Sequence, residues 1–246
     1  SICPVASAFD MPEDIALPQA GALYFPYHLA WLGLVDRAEL QAGESVLVHA
    51  GAGGAGSAAI QWAKHSGARV FATAGSEAKV QLCRELGADV AINYATEDFS
   101  QIVMNETNAR GVDVVFDTVG EAVMGPSMNC TAYNGRYVMI GFASDKAVAD
   151  EKTIIPRRLA VGNLKLCGVL LAYADEAVAP LMKKAMGWNF CPNALGTRAM
   201  AEIVEAVRSG GVRPVIGEVS NFEGLPRAMT RLRDRLTTGR VLVIPD

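Results

Sequence analysis

The sequence predicts an α/β protein built on a doubly wound, parallel β-sheet. Two observations carry this. From residue 43 onward, apolar and β-branched runs of four to six residues alternate with amphipathic stretches of roughly ten. Between the first such run and the first such stretch lies "HAGAGGAG", residues 49–56, with four glycines, three alanines and almost no side-chain chemistry. Short strands alternating with helices mean βαβ units, and their right-handed crossovers cover both faces of the sheet.

Residues 45–49 read as the first strand and 55–66 as the helix after the glycine loop, with Ala58, Ala59, Trp62 and Ala63 on its apolar side and Gly67 as its stop. A second strand is expected at 70–74. Ser76 then stands as the N-cap of a helix running to Leu86, which Gly87 ends. Strands follow at 90–93, 112–117 and 136–141, with helices at 98–108 and 121–132 between them. Residues 164–171, "LKLCGVLL", read as one more strand, at the sheet edge. Beyond it the rhythm changes. Residues 175–210 are helical but interrupted by Pro180, by "GWNFCPN" and by Gly196. A helix at 225–236 and a last strand "RVLVIPD" do not continue the alternation.

Composition bounds the function. The chain has 246 residues, 51% hydrophobic and 20% charged, with a net charge of −4. That suits one large or two small core-forming domains, and offers no electrostatic reason to bind nucleic acid or an anionic membrane. No apolar run approaches the length of a membrane span. The five cysteines are scattered, odd in number and never in a C-x-x-C pair, which reads as thiols in a reducing cytoplasm. Three separated histidines predict no internal zinc site. The opening Ser-Ile-Cys-Pro, without methionine, reads as part of something longer.

In a βαβ setting the glycine loop acquires a mechanism. Gly51-x-Gly53-x-x-Gly56 turns a strand sharply into a helix, lets backbone approach a pyrophosphate, and offers it the N–H groups and dipole of the helix start. Ala52 and Ala55 fit because larger side chains would obstruct that approach. No P-loop spacing is present. The second strand ends in Ala74-Gly75-Ser76, without the carboxylate that NAD-binding sheets place there, so a 2′-phosphate would meet no repulsion. Ser76 can donate a hydrogen bond and Lys79, one turn in, a positive charge. Glu77 would oppose the phosphate unless it points away along the helix. The expected cofactor is NADPH.

At this point the chain resembles the medium-chain dehydrogenase/reductase superfamily, in its zinc-less quinone oxidoreductase (zeta-crystallin-like) branch. The resemblance is carried by residues 42–79, by "LGADVAINYATEDF" (86–99), "GVDVVFDTVG" (111–120), "GRYVMIGFAS" (135–144) and the ending "RPVIGEV…RLTTGRVLVIP". It implies that Ala52, Gly53, Gly54 and Ala55 line the pyrophosphate, and that Gly75, Ser76, Lys79 and Tyr94 hold the 2′-phosphate. Val119 and Gly120 would follow the fourth strand near the cofactor, and Gly141, Phe142, Leu170 and Leu171 would run along the nicotinamide side. Arg235 matches an arginine near the cofactor phosphates, with Arg240 close enough in sequence to be confused with it. Leu29 stands where many relatives have a threonine beside the nicotinamide. The resemblance also implies a GroES-like catalytic domain, of which residues 1–22 are the tail end and 212–246 the C-terminal return. Between them lie an NADP-binding Rossmann domain with a leading helix (23–175) and a helical segment (176–211). "GWNFCP" has no counterpart; packing is favoured over a reach across the substrate cleft.

NADPH without a metal motif suits hydride delivery to a quinone or an α,β-unsaturated carbonyl, and no general acid is assigned within the chain. The Tyr-x-x-x-Lys relay of short-chain dehydrogenases is absent. Two alternatives stay open: an enoyl-thioester reductase domain of a polyketide or fatty-acid synthase, and a non-catalytic or truncated NADPH-binding module. An uncovered edge at 164–171 predicts a homodimer.

Overall fold

The computed structural model describes residues 8–141 and 156–244. Its main sheet has six strands: β1 (Ser45–Val48), β2 (Arg69–Ala74), β3 (Val90–Asn93), β4 (Val112–Asp117), β5 (Thr131–Met139) and β6 (Lys165–Gly168). All pair in parallel, in the spatial order β3-β2-β1-β4-β5-β6. The order reverses between β1 and β4, which opens a crevice at the C-terminal ends of the strands.

Strand alternation divides the core in two. Val46, Val48, Val70, Ala72, Val114 and Phe116 face one layer, which holds α1 (Leu17–Trp31), α2 (Gly54–His65) and α3 (Glu77–Glu85). Leu47, Phe71, Ile92, Val115 and Tyr137 face the other, formed by α4 (Phe99–Glu106), α5 (Glu121–Asn129) and α6 (Pro156–Gly162). Strands buried on both faces explain why β1 and β4 read as near-continuous apolar runs.

Several expected bounds move. The helix expected to reach 132 ends at Asn129, and β5 starts at Thr131 rather than 136. Its first residues form a bulge against β4: Val112 pairs with Thr131 but Val114 with Arg136. Asn134 takes a φ of 62° there. The edge strand ends at Gly168, three residues early, where the Arg37 Nε–H takes the Gly168 carbonyl at 3.2 Å. A π-helical segment, Leu32–Arg37, extends α1, and the expected domain boundary at 22/23 falls inside that helix.

The 175–210 region holds two helices, α7 (Ala179–Met186) and α8 (Asn193–Arg208). Pro180 opens α7 instead of interrupting it, since the first turn needs no N–H from that position. Gly196 lies inside α8, where an added Cβ would sit 2.7 Å from the Phe9 ring and 2.9 Å from Tyr173. Two-residue strands β7 (Tyr173–Ala174) and β8 (Cys191–Pro192) pair in parallel. The C-terminal region forms β9 (Ile216–Ser220), α9 (Leu225–Arg233) and β10 (Arg240–Val243), with β9 and β10 a second parallel pair.

Candidate functional site

The glycine loop leaves β1 at His49 and enters α2. Ala50 takes a φ of 51°, and the Gly51 N–H donates to the Thr73 carbonyl at 2.9 Å. A Cβ at Gly56 would run into the Ala50 carbonyl, and one at Gly51 would lie 2.8 Å from Cys83 Sγ. These two glycines are demanded by internal packing. At Gly53 only the Ala50 oxygen lies nearby, at 3.3 Å, so the outer side of the loop is open. The first bond of the helix runs from the Ser57 N–H to the Gly53 carbonyl at 2.8 Å. The N–H groups of Gly54, Ala55 and Gly56 precede it, at the positive end of the helix dipole.

His49 secures the loop from beneath. Its buried ring lies 3.0 Å from Thr73 Oγ1 through Nδ1 and 2.8 Å from Ser127 Oγ through Nε2. The Ser127 hydroxyl already donates to the Val123 carbonyl, so Nε2 carries the proton and Nδ1 accepts from Thr73. Burial holds the imidazole pKa down at about 3, and the ring stays neutral.

A second corner forms where β2 meets α3. Tyr94, half-exposed beyond β3, lies over Gly75: an added Cβ there would be 2.5 Å from the tyrosine oxygen. Lys79 Nζ donates to the Arg235 carbonyl at 2.5 Å, joining residues 156 positions apart. Arg235 itself turns with a φ of 58°. Ser76 occupies the N-cap position in extended backbone, but its side chain makes no capping bond, so its hydroxyl is not used by the helix. Glu77 points along α3 and accepts from Arg84 at 3.1 Å. The structure therefore places Tyr94 over Gly75 and Lys79 against the backbone of Arg235, and it turns the Glu77 carboxylate toward Arg84.

Arg240 is the residue that sequence reasoning left beside Arg235 without a role. The Gly239 N–H donates to the Ala52 carbonyl at 2.8 Å, which lays the C-terminal segment along the loop. A Cβ at Gly54 would then meet Arg240 Cδ at 2.8 Å. The Arg240 guanidinium stacks over Phe25 at 5.4 Å, and its Nε is buried without a hydrogen-bond partner among the described residues. Burial lowers its pKa from the ordinary arginine value. A partly desolvated cation against a phosphate-binding loop calls for an anion.

Along the third side, the fully buried Asp117 carboxylate shapes the turn after β4. It accepts from the Val119 N–H at 2.7 Å, the Gly120 N–H at 3.1 Å and the Tyr137 hydroxyl at 2.6 Å. Gly120 has a φ of 93°. Gly141 follows β5, its Cβ position 3.3 Å from the Thr118 carbonyl oxygen. Leu170 is exposed, and Leu171 is partly buried and packs against the core. Phe142 lies outside the described residues. Among the described residues no group of three or more His, Cys, Asp or Glu side chains is arranged to hold a metal ion.

A six-stranded doubly wound sheet with a glycine loop at its switch point defines a dinucleotide-binding α/β protein of the dehydrogenase class. The zinc-binding dehydrogenase family matches residues 54–184, and the chain belongs to that family, within the medium-chain dehydrogenase/reductase superfamily. It is 38% identical over 247 residues to a 2-haloacrylate reductase of Burkholderia sp., covering 99% of this chain and 68% of that one. Identity to quinone oxidoreductase-like protein 2 of Bos taurus is 30% over 236 residues, covering 96% and 62%. The structure of mycobacterial Rv1454c complexed with NADPH superposes with a TM-score of 0.84 at 26% identity, covering 99% and 69%. The chain spans only 6% of phthioceranic/hydroxyphthioceranic acid synthase of Mycobacterium tuberculosis, which it matches at 37% identity over 139 residues.

Proposed function

We propose that this chain is the dinucleotide-binding part of an NADPH-dependent oxidoreductase that delivers hydride, without zinc, to a quinone or an α,β-unsaturated carbonyl. The observation that carries the reading is the corner after β2, where Tyr94 lies over Gly75, Lys79 reaches the Arg235 carbonyl and Glu77 is held by Arg84. NADPH fits the clearances as well: the open side of Gly53 admits a pyrophosphate, and the unpartnered Arg240 Nε supplies a counter-charge beside it.

When bound, the dihydronicotinamide supplies the hydride. The chain's own residues bind and orient. The first-turn N–H groups of α2 and Arg240 would hold the pyrophosphate, and Lys79 with Arg235 the 2′-phosphate. Backbone at Val119, Gly120 and Gly141, with Leu170, would line the nicotinamide edge. No proton donor is assigned among these residues. The reductase and quinone oxidoreductase names of the relatives support the acceptor class.

The test is a fluorescence titration with NADPH and NADH in the same buffer. Tighter binding of NADPH is expected, and equal affinities would refute the 2′-phosphate assignment. A second reading, an enoyl-thioester reductase domain, is favoured by the 139-residue match to a mycobacterial synthase. Turnover of a crotonyl thioester but not of a quinone by the full-length protein would select it. Among the described residues no strand pairs with the outer edge of β6, which supports a homodimer paired at that edge, and free thiols among the described cysteines suit a cytoplasmic protein.

A further inference from the structure

The loop "GWNFCP" lies against a cleft outside the dinucleotide groove. After α7, Gly187 takes a φ of 74°, and the chain turns back to pair Cys191 and Pro192 with Tyr173 and Ala174. The Cys191 N–H donates to the Ala172 carbonyl at 2.8 Å, and its thiol donates to the Leu170 carbonyl at 3.6 Å. The loop is thus clipped to the strand exit that carries Leu170. Between the loop, that exit and the π-helical segment lies a cleft of about 900 Å³, a volume suited to one small molecule.

Its walls have a definite chemistry. Trp188, Phe190, Leu32 and Leu170 give it aromatic and aliphatic walls. Trp188 is 52% exposed while Trp31 and Trp62 are 0% and 4% exposed, so the one indole left open faces this cleft. An exposed indole beside aliphatic walls favours a flat aromatic ring. Asp36 and Arg37 are the charged residues of its lining. The carboxylate disfavours an anion there and the guanidinium a cation. Arg37 uses its Nε–H on the Gly168 carbonyl, and its two terminal NH₂ groups can donate to a carbonyl oxygen.

We propose that this cleft binds a flat, uncharged aromatic carbonyl compound, stacked on Trp188 with its oxygen toward Arg37. Leu170 belongs both to the cleft and to the nicotinamide edge, so the compound is the hydride acceptor; that last identification rests on the oxidoreductase reading, whereas the binding does not. The loop then selects extended aromatic acceptors over compact enones.

The probe is phenanthrenequinone, whose fused ring leaves no free position for conjugate addition of the Cys191 thiol. It is titrated into the isotopically labelled chain while the three indole N–H signals are followed by NMR. The Trp188 signal is expected to shift and saturate while those of Trp31 and Trp62 stay in place. Trp188→Ala should weaken binding by about tenfold. Arg37→Gln should weaken phenanthrenequinone several-fold and leave phenanthrene unchanged, and cyclohexenone should not move the signal. A Trp188 signal that stays still under the quinone while NADPH binds would overturn this proposal and leave the oxidoreductase reading intact. Quinone binding at Trp188 by a chain that does not bind NADPH would support the cleft and end its role as acceptor site. A Trp188 signal that moves with protein concentration alone would make this face an interface between copies and overturn the proposal.

Discussion

Replacing Lys79 by alanine removes the ammonium from the corner that Gly75, Tyr94 and Arg235 surround. A charge-assisted hydrogen bond to phosphate is worth about 1.5–3 kcal/mol. Lys79 is only partly buried and the corner opens to solvent, so screening brings the expected loss to about 1–2 kcal/mol. That corresponds to a Kd for NADPH raised about five- to thirtyfold. NADH lacks the phosphate, and its Kd should change by less than about twofold. The same substitution frees the Arg235 carbonyl, so Lys79→Arg, which keeps a donor and a charge, should retain most of the NADPH affinity. The assay is the rise in nicotinamide fluorescence on titration of both cofactors at two salt concentrations. For the unmodified chain, higher salt should narrow the preference for NADPH. Equal weakening of NADH and NADPH, or an unchanged NADPH affinity, would refute the reasoning.

Four further outcomes follow from other parts of the site. Gly75→Ala should push the half-exposed Tyr94 aside, weakening NADPH severalfold with little change in Tm, because the displaced atom is the free end of a side chain; a large drop in Tm would show that Tyr94 cannot move. Arg240→Met should weaken NADPH and NADH alike, since the pyrophosphate is common to both; a selective effect on NADPH would place this arginine at the 2′-phosphate instead. Gly56→Ala meets backbone and cannot be relieved that way, so chemical denaturation should reveal a loss of about 3 kcal/mol. Acid should destabilise the fold through two buried histidines. Burial depresses His49 to about 3 and His28 to about 4, so their contribution is complete above the unfolded value near 6.5 and is lost as pH falls below it. Each removes about 2 kcal/mol between pH 7.5 and 5, and His49→Gln should flatten that slope in urea melts at stepped pH.

The parallel direction of the main sheet's strands was legible from the amino acids alone. β3 and β4 lie where the apolar runs place them, because a strand buried on both faces and closed by turn residues is a local signal. The glycine loop was legible for the same reason: its spacing, its strand and its helix are contiguous. Errors came where a partner distant in sequence decides. β5 begins early because β4 offers it a bulged register, and α8 contains Gly196 because Phe9 and Tyr173 occupy the space of a side chain. Ser76 has cap chemistry, yet its helix does not use it.

By itself, then, the sequence determined a doubly wound sheet, a glycine loop between its first strand and first crossover helix, and the absence of a carboxylate after the second strand. The tertiary structure decided what stands beside them: Lys79 reaches the Arg235 carbonyl across 156 residues, Glu77 turns to Arg84, and Arg240 lies against Gly54 with its Nε unpartnered among the described residues. Periodicity and turn chemistry act over a few residues and can be read along the chain. Clearance and counter-charge depend on which segments the fold brings side by side.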